Sequence, residues 1–293
     1  MNKGLFWLTA FFLHLISLLP FWLLYLFSDL LFFFLYYVIR YRRKVVQTNL
    51  ANSFPEKTLK ERCGIEKLFY SYLADIISES VKSLSIRPSE LRERFRFENI
   101  NELKRHLDAG RSVIAVTGHY GNWEWGPLAI GLELKEKVLV VYKPLSDKRF
   151  DHLINSMRSR FGAVMVPMKQ TLRKMAEYKV QPHTLVLVGD QTPIREESQY
   201  FTNFLNQATA VFLGVEKIAV KYNDPVIYFN IKRIKRGYYV CNIKTLVEQP
   251  KESSAYEITE AHTLELENTI RLKPEYWLWS HNRWKFKPED ITH

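Results

Sequence analysis

The sequence predicts an α/β protein: a mixed, mostly parallel sheet flanked by helices, preceded by a helical segment that anchors the chain to a membrane. Two observations carry this expectation. From residue 113 onward, apolar runs of strand length alternate with stretches of helical periodicity, as in a sheet with helices on its faces. Before that, residues 5–39 are almost continuously apolar, broken only by Thr9, His14, Ser17, Pro20, Ser28 and Asp29. The expected organisation is an anchor with a basic juxtamembrane cluster at 1–44 and a catalytic domain at 45–293.

The N-terminal run exceeds the roughly 20 residues that a spanning helix needs, and Pro20 divides it. It is too long for a signal peptide and no small-residue cleavage site follows. Instead come Arg40, Arg42, Arg43 and Lys44, a positive-inside signal that suits the anionic cytoplasmic leaflet. The domain is therefore expected at the cytoplasmic side of the membrane. Asp29 is costly in lipid unless it faces protein or headgroups. A true span and an embedded hairpin or interfacial helix both remain open, and a buried helical pair would have to absorb many Phe and Trp side chains.

Residues 56–85 read as a helix, with Leu68, Phe69, Tyr72, Leu73, Ile76 and Ile77 near the 3.6-residue period. Strands are expected at 113–116, 138–142, 184–188, 225–231 and 238–243. The first is apolar throughout, as a parallel strand buried on both faces would be. Helices are expected at 123–132, 150–161, 171–178, 210–222 and 256–272. No internal repeat or low-complexity linker divides the chain after residue 45.

In such sheets, ligands bind beyond the carboxyl ends of strands, so the residues after Val116, Val141 and Val188 are where chemistry belongs. After the first strand comes Gly118-His119-Tyr120-Gly121-Asn122-Trp123-Glu124. On a regular helix His119 and Glu124 would lie about 140° apart, but the glycines argue for a strand-to-helix turn. His119 can then sit in the turn and Glu124 in the first helical turn, both facing one cleft. A carboxylate beside the imidazole fixes its tautomer and stabilises the imidazolium, which activation of a hydroxyl requires. Alone, an HxxxxE pattern is also a common accident, and such a histidine can be a capped polar residue.

After the second strand come Tyr142 and Lys143, and later Arg158 and Arg160, whose guanidinium forks could clamp an anion. They could equally be cations at an exposed helix end. After the third strand come Asp190 and Gln191, in a Gly-Asp-Gln-Thr-Pro run that also suits a turn.

Several classes are disfavoured. Cys63 and Cys241 form neither a CxxC pair nor a metal-ligand spacing, so no disulfide framework or zinc site is expected. No nucleophile elbow, dinucleotide or nucleotide loop, or HExxH is present. The net charge of +11 favours anionic partners, but the cations are spread along the chain rather than clustered with aromatics, which speaks against nucleic acid.

Taken together, these segments resemble the lipid A biosynthesis lauroyl/myristoyl acyltransferases, within the lysophospholipid acyltransferase group. The resemblance covers nearly the whole chain. It runs through Ser28-Asp29, the segment from Tyr41 to Val46, Asn49-Leu50, Phe54-Pro55, the HX4E block at His119 and Glu124, Tyr142-Lys143-Pro144, Arg158 to Gly162 and Asp190-Gln191. It continues with Ala208-Thr209-Ala210 and the closing Tyr276-Trp277-Leu278-Trp279-Ser280-His281-Asn282-Arg283-Trp284-Lys285.

The resemblance implies a glycerolipid acyltransferase-like fold at the bacterial inner membrane. It implies transfer of an acyl chain from acyl carrier protein to a hydroxyl of a lipid A precursor, without metal, cofactor or acyl-enzyme. By it, His119 is the general base, Glu124 orients it or shares the proton, Arg158 is a further active-site residue and Asp190 lines the site. Asn122, Tyr142, Lys143, Arg160 and Gln191 are the candidate substrate-binding residues. The polar stretch Arg195 to Gln199 departs from the family's more apolar segment, so an aminolipid or lysophospholipid acceptor stays open. An inactive lipid-binding relative is the remote alternative; it would more naturally lack His119 or Glu124.

Overall fold

The computed structural model describes residues 3–290. The apolar N-terminus forms two helices, α1 (Lys3–Leu18) and α2 (Phe21–Phe33). They are separated at Pro20, whose missing N–H suits a helix start. A π-helical stretch, Phe34–Val38, continues α2. Next come α3 (Arg43–Ser53) and the long α4 (Leu59–Lys82). A reciprocal pair starts α4: the Thr58 hydroxyl accepts from the Glu61 N–H, and the Glu61 carboxylate accepts from the Thr58 N–H.

The rest alternates as expected. It comprises α5 (Pro88–Arg94), β1 (Phe95–Glu98), α6 (Ile100–Asp108), β2 (Val113–Thr117), α7 (Gly126–Glu133), β3 (Lys137–Tyr142), α8 (Lys148–Arg158), β4 (Val164–Pro167), α9 (Thr171–Glu177) and β5 (His183–Val188). Then follow the β6 (Phe201–Phe204) and β7 (Gln207–Ala210) hairpin, α10 (Gly214–Tyr222), β8 (Val226–Lys235), β9 (Tyr238–Val247) and α11 (Glu257–Leu272).

Seven strands form one mixed sheet in the order β1-β9-β8-β2-β5-β3-β4, parallel at every pair except β8–β9. β2 is buried along its whole length, which explains its unbroken apolar composition. All five expected strands are present. β1, β4 and the two strands of the β6–β7 hairpin are four residues each, too short to announce themselves.

The helix at 56–85 forms with a turned face. Phe69, Tyr72, Leu73 and Ile76 are buried, but Leu68 and Ile77 point outward. Two carboxylates, Asp75 and Glu79, lie inside instead. They serve as anchors. Asp75 accepts from Ser28, Arg233 and Arg236, and Glu79 accepts from Tyr25, Asn122 and Tyr239.

α2 is thereby fastened to the domain along one face, and Phe21 and Leu24 belong to the same continuous core as β2. Its other face, with Trp22, Leu26, Leu30 and Phe33, is exposed, as are Trp7, Leu8, Phe11 and Phe12 of α1. Asp29 is exposed but paired: its carboxylate accepts from Arg236 at 2.6 Å. By length and hydropathy, the stretch Phe21–Val38 is a candidate membrane span.

Candidate functional site

β2 and β5 are neighbours in register, with Thr117 opposite Val188. His119 follows β2 by two residues and Asp190 follows β5 by two, so the sheet sets them side by side. The Asp190 carboxylate accepts twice from His119, from its backbone N–H at 2.7 Å and from ring Nδ1 at 2.6 Å. The Trp277 indole N–H donates to the same carboxylate at 2.8 Å. Burial works against the Asp190 charge, but the adjacent His119 and the bonds from His119 and Trp277 outweigh it and hold the carboxyl down at about 2. An ionised carboxylate only accepts, so Nδ1 carries the proton and Nε2 is the basic nitrogen. Nε2 lies 3.2 Å from the Gln191 side-chain amide nitrogen, which can donate to it. Burial likewise disfavours the imidazolium, yet the charge and hydrogen bond of Asp190 prevail and raise the His119 pKa above its ordinary value.

The carboxylate that orients the ring is thus Asp190, where the residue spacing had suggested Glu124. α7 begins only at Gly126, so Glu124 sits in the turn rather than in the first helical turn. Its side chain forms a two-pronged ion pair with Arg158, Nε to Oε2 at 2.9 Å and Nη2 to Oε1 at 2.6 Å. Arg158 is the last residue of α8, and its pKa is raised because the Glu124 carboxylate outweighs the cost of burial. Glu124 still acts on His119 through its charge, as one of the influences favouring the imidazolium.

The two arginines do not form one clamp. Arg160 lies beyond the helix and donates to the Ser83 and Ile86 carbonyls after α4. Asn122 is wholly buried: its Oδ1 accepts from the Trp125 N–H at 2.9 Å and its Nδ2 donates to Glu79 at 2.7 Å. Both side chains are thus engaged with α4 or the residues just after it. The Tyr142 hydroxyl donates to Asp151 at 3.3 Å, and Lys143 is exposed at the rim.

The turn is held from two sides. Gly121 has φ +61°, and a Cβ there would come within 2.3 Å of the Ile231 carbonyl oxygen, so only glycine fits. The Tyr72 hydroxyl donates to the Gly121 carbonyl from α4. From the C-terminal segment, the Gly121 N–H donates to Tyr276 O and the Leu278 N–H to His119 O. Trp277, Tyr72, Glu79 and His281, whose Nε2 accepts from the Thr192 N–H at 3.2 Å, carried no assignment from the sequence. The C-terminal signature was visible without a role, and Glu79 could have been noticed as a carboxylate in a helix otherwise rich in apolar residues. Among the described residues, no three His, Cys, Asp or Glu side chains gather as a metal-binding group.

Residues 1–286 match the family model described as bacterial lipid A biosynthesis acyltransferase. The chain is 23% identical over 281 residues to a lipid A biosynthesis acyltransferase of Haemophilus influenzae, covering 93% of this chain and 85% of that one. It is 21% identical over 260 residues to the lipid A biosynthesis palmitoleoyltransferase of Escherichia coli, covering 85% and 81%. With its fold, its paired strand-end residues and a family match along nearly all of its length, the chain belongs to the bacterial lipid A biosynthesis acyltransferases.

Proposed function

We propose that this acyltransferase moves a fatty acyl chain from an acyl carrier protein thioester onto a hydroxyl of a lipid A precursor. The observation that carries the reading is His119 with its Nδ1 bonded to buried, ionised Asp190, which makes Nε2, beside the Gln191 amide, the basic nitrogen. Nε2 takes the acceptor hydroxyl proton as that oxygen attacks the thioester carbonyl. The tetrahedral intermediate collapses, the C–S bond breaks, and the imidazolium returns the proton to the departing thiolate.

Oxyanion stabilisation falls to Arg158. The Gly121 N–H is already bonded to Tyr276 O, whereas Arg158 Nη1 makes no hydrogen bond among the described residues. Glu124 holds that guanidinium in place. Gln191 and Tyr142 line the cleft, and Lys143 offers a cation at its rim to phosphate groups of the acceptor or carrier.

The enzyme works at the inner membrane from the cytoplasmic side. The exposed apolar faces of α1 and α2 and the following Arg40, Arg42, Arg43 and Lys44 support this. Because Asp75, Glu79 and Arg236 tie α2 to the domain, a helix pair embedded alongside it is favoured over a span that leaves the domain outside. Residues 1–44 are then the membrane-contacting part and 45–293 the catalytic part.

Mass spectrometry of lipid A from cells with and without the gene tests the function. The expected loss is one acyl chain, restored by the wild-type gene. Unchanged lipid A with loss of a different acylated lipid would move the activity to an aminolipid or lysophospholipid acceptor.

A further inference from the structure

A small cavity of about 10 Å³ is lined in part by Asp190, His262, Thr117, Tyr228 and Arg283. Arg283 comes from the same C-terminal signature as Trp277 but takes no part in the proposed reaction. It is 2% exposed, and its Nε and Nη1 are buried without a hydrogen-bond partner among the described residues. His262 Nε2 is in the same position. Unpaired buried donors on a guanidinium are costly, so this arrangement calls for a partner.

The titratable groups around Asp190 narrow the choice. They come from His119 after β2, Tyr228 on β8, His262 on α11, and His281 and Arg283 at the C-terminal end. Burial pushes His262 and His281 down to about 4, so both are neutral near pH 7. Tyr228, pushed up by burial, is neutral as well. Arg283 is pushed down by burial only to about 10 and keeps its charge. It is therefore the permanent cation in the group around Asp190. A cavity of this size admits about one water molecule, and a buried water needs two to four polar partners. Arg283, His262 and Asp190 supply them, with the guanidinium donating to the water and the water donating to the carboxylate.

We propose that one ordered water in this cavity bridges Arg283 to Asp190, which makes Arg283 a positioning residue for the His119–Asp190 pair. The inference rests on the reading of His119 as the base. Through the water, Arg283 fixes the carboxylate, and its charge opposes protonation of His119.

The test compares Arg283→Met, Arg283→Lys and His119→Ala with wild type in membrane fractions, measuring transfer from radiolabelled acyl carrier protein thioesters to a lipid A precursor across pH. Arg283→Met should lower kcat by about 10- to 100-fold, the worth of one hydrogen bond to a charged group. KM should change little, and the acid limb of kcat/KM should move to higher pH, because removing a cation eases protonation of His119. A wild-type kcat per folded enzyme, or a loss with an unmoved acid limb, would overturn the proposal. If Arg283→Met does not accumulate, Arg283→Lys decides. It keeps the charge but replaces the fork with one ammonium, so kcat should fall at least about threefold with the limb in place. A wild-type kcat from Arg283→Lys would then overturn the proposal. Retained activity in His119→Ala sinks the base assignment itself, whereas an inactive His119→Ala beside a wild-type-like Arg283→Met sinks the Arg283 inference alone.

Discussion

Asp190 takes both the backbone N–H and the ring Nδ1 of His119, at 2.7 and 2.6 Å, from a strand two positions further along the chain than β3 but adjacent to β2 in space. This relationship predicts the pH dependence. His119 is raised above its ordinary value because Asp190 outweighs burial, and the base works only when neutral. The acid limb of kcat/KM should thus lie above the ordinary histidine value of about 6.5. Asp190→Asn removes the anion and should shift whatever activity remains to a lower acid limb. A limb that stays put in Asp190→Asn would contradict the pairing.

Glu124 and Arg158 should act as a unit. The pair is two-pronged and mostly shielded from solvent. Glu124→Ala and Arg158→Ala should each lower kcat, and the double variant should be little worse than the poorer single. The cycle should give a coupling of roughly 1–3 kcal/mol in the transition-state free energy. Additive losses would mean that Glu124 and Arg158 contribute separately.

Much of this was legible in the sequence, and the misreadings have physical causes. The apolar runs marked β2, β3, β5 and β8 because buried strands need no polar alternation, whereas β9 alternates and buries Tyr239, Cys241 and Ile243. Of the residues sought at strand ends, His119 and Asp190 meet directly, and Glu124 and Arg158 pair with each other close enough to act on His119 through their charges. What the sequence withheld was strand order. Without it, Glu124 was the nearest carboxylate to His119 along the chain, while Asp190 stood 71 residues away. Asn122 and Arg160 looked like ligand binders because tertiary hydrogen-bond partners cannot be read from residue type. Their partners, Glu79 and the Ser83 and Ile86 carbonyls, belong to α4 or the residues just after it, far from both in sequence.

Glu79 links α2 to the turn that carries His119 and should leave a mark on stability. Burial first, and the charge of Asp75 second, push its carboxyl up to about 7. A carboxyl raised in the folded state keeps its proton where the unfolded chain has lost it. Stability therefore falls as pH rises from the ordinary carboxylate range toward about 7. Glu79→Gln removes this dependence, so its thermal midpoint should improve relative to wild type between pH 5 and pH 8. A constant difference across that window would contradict the assignment.

The two faces of α2 should respond differently to substitution. Trp22 is 67% exposed and shares its face with Leu26 and Leu30, whereas Leu24 is fully buried in the core. Lysine at Trp22, Leu26 and Leu30 together should weaken membrane retention while leaving the thermal midpoint near wild type. Leu24→Ala should leave retention intact and destabilise the fold by about 2–5 kcal/mol. Fractionation in high salt and thermal unfolding in detergent separate the two effects. Loss of the fold in the triple lysine variant would show that the outward face packs on protein.

The most direct test of the central claim is the single-turnover rate of acyl transfer by purified Asp190→Asn, with His119→Ala beside it and folding verified for both. If Asp190 holds His119 in its working tautomer, Asp190→Asn should lose roughly 10³- to 10⁴-fold while remaining folded, a loss approaching that of His119→Ala. A folded Asp190→Asn enzyme that transfers acyl chains at the wild-type rate would contradict the account.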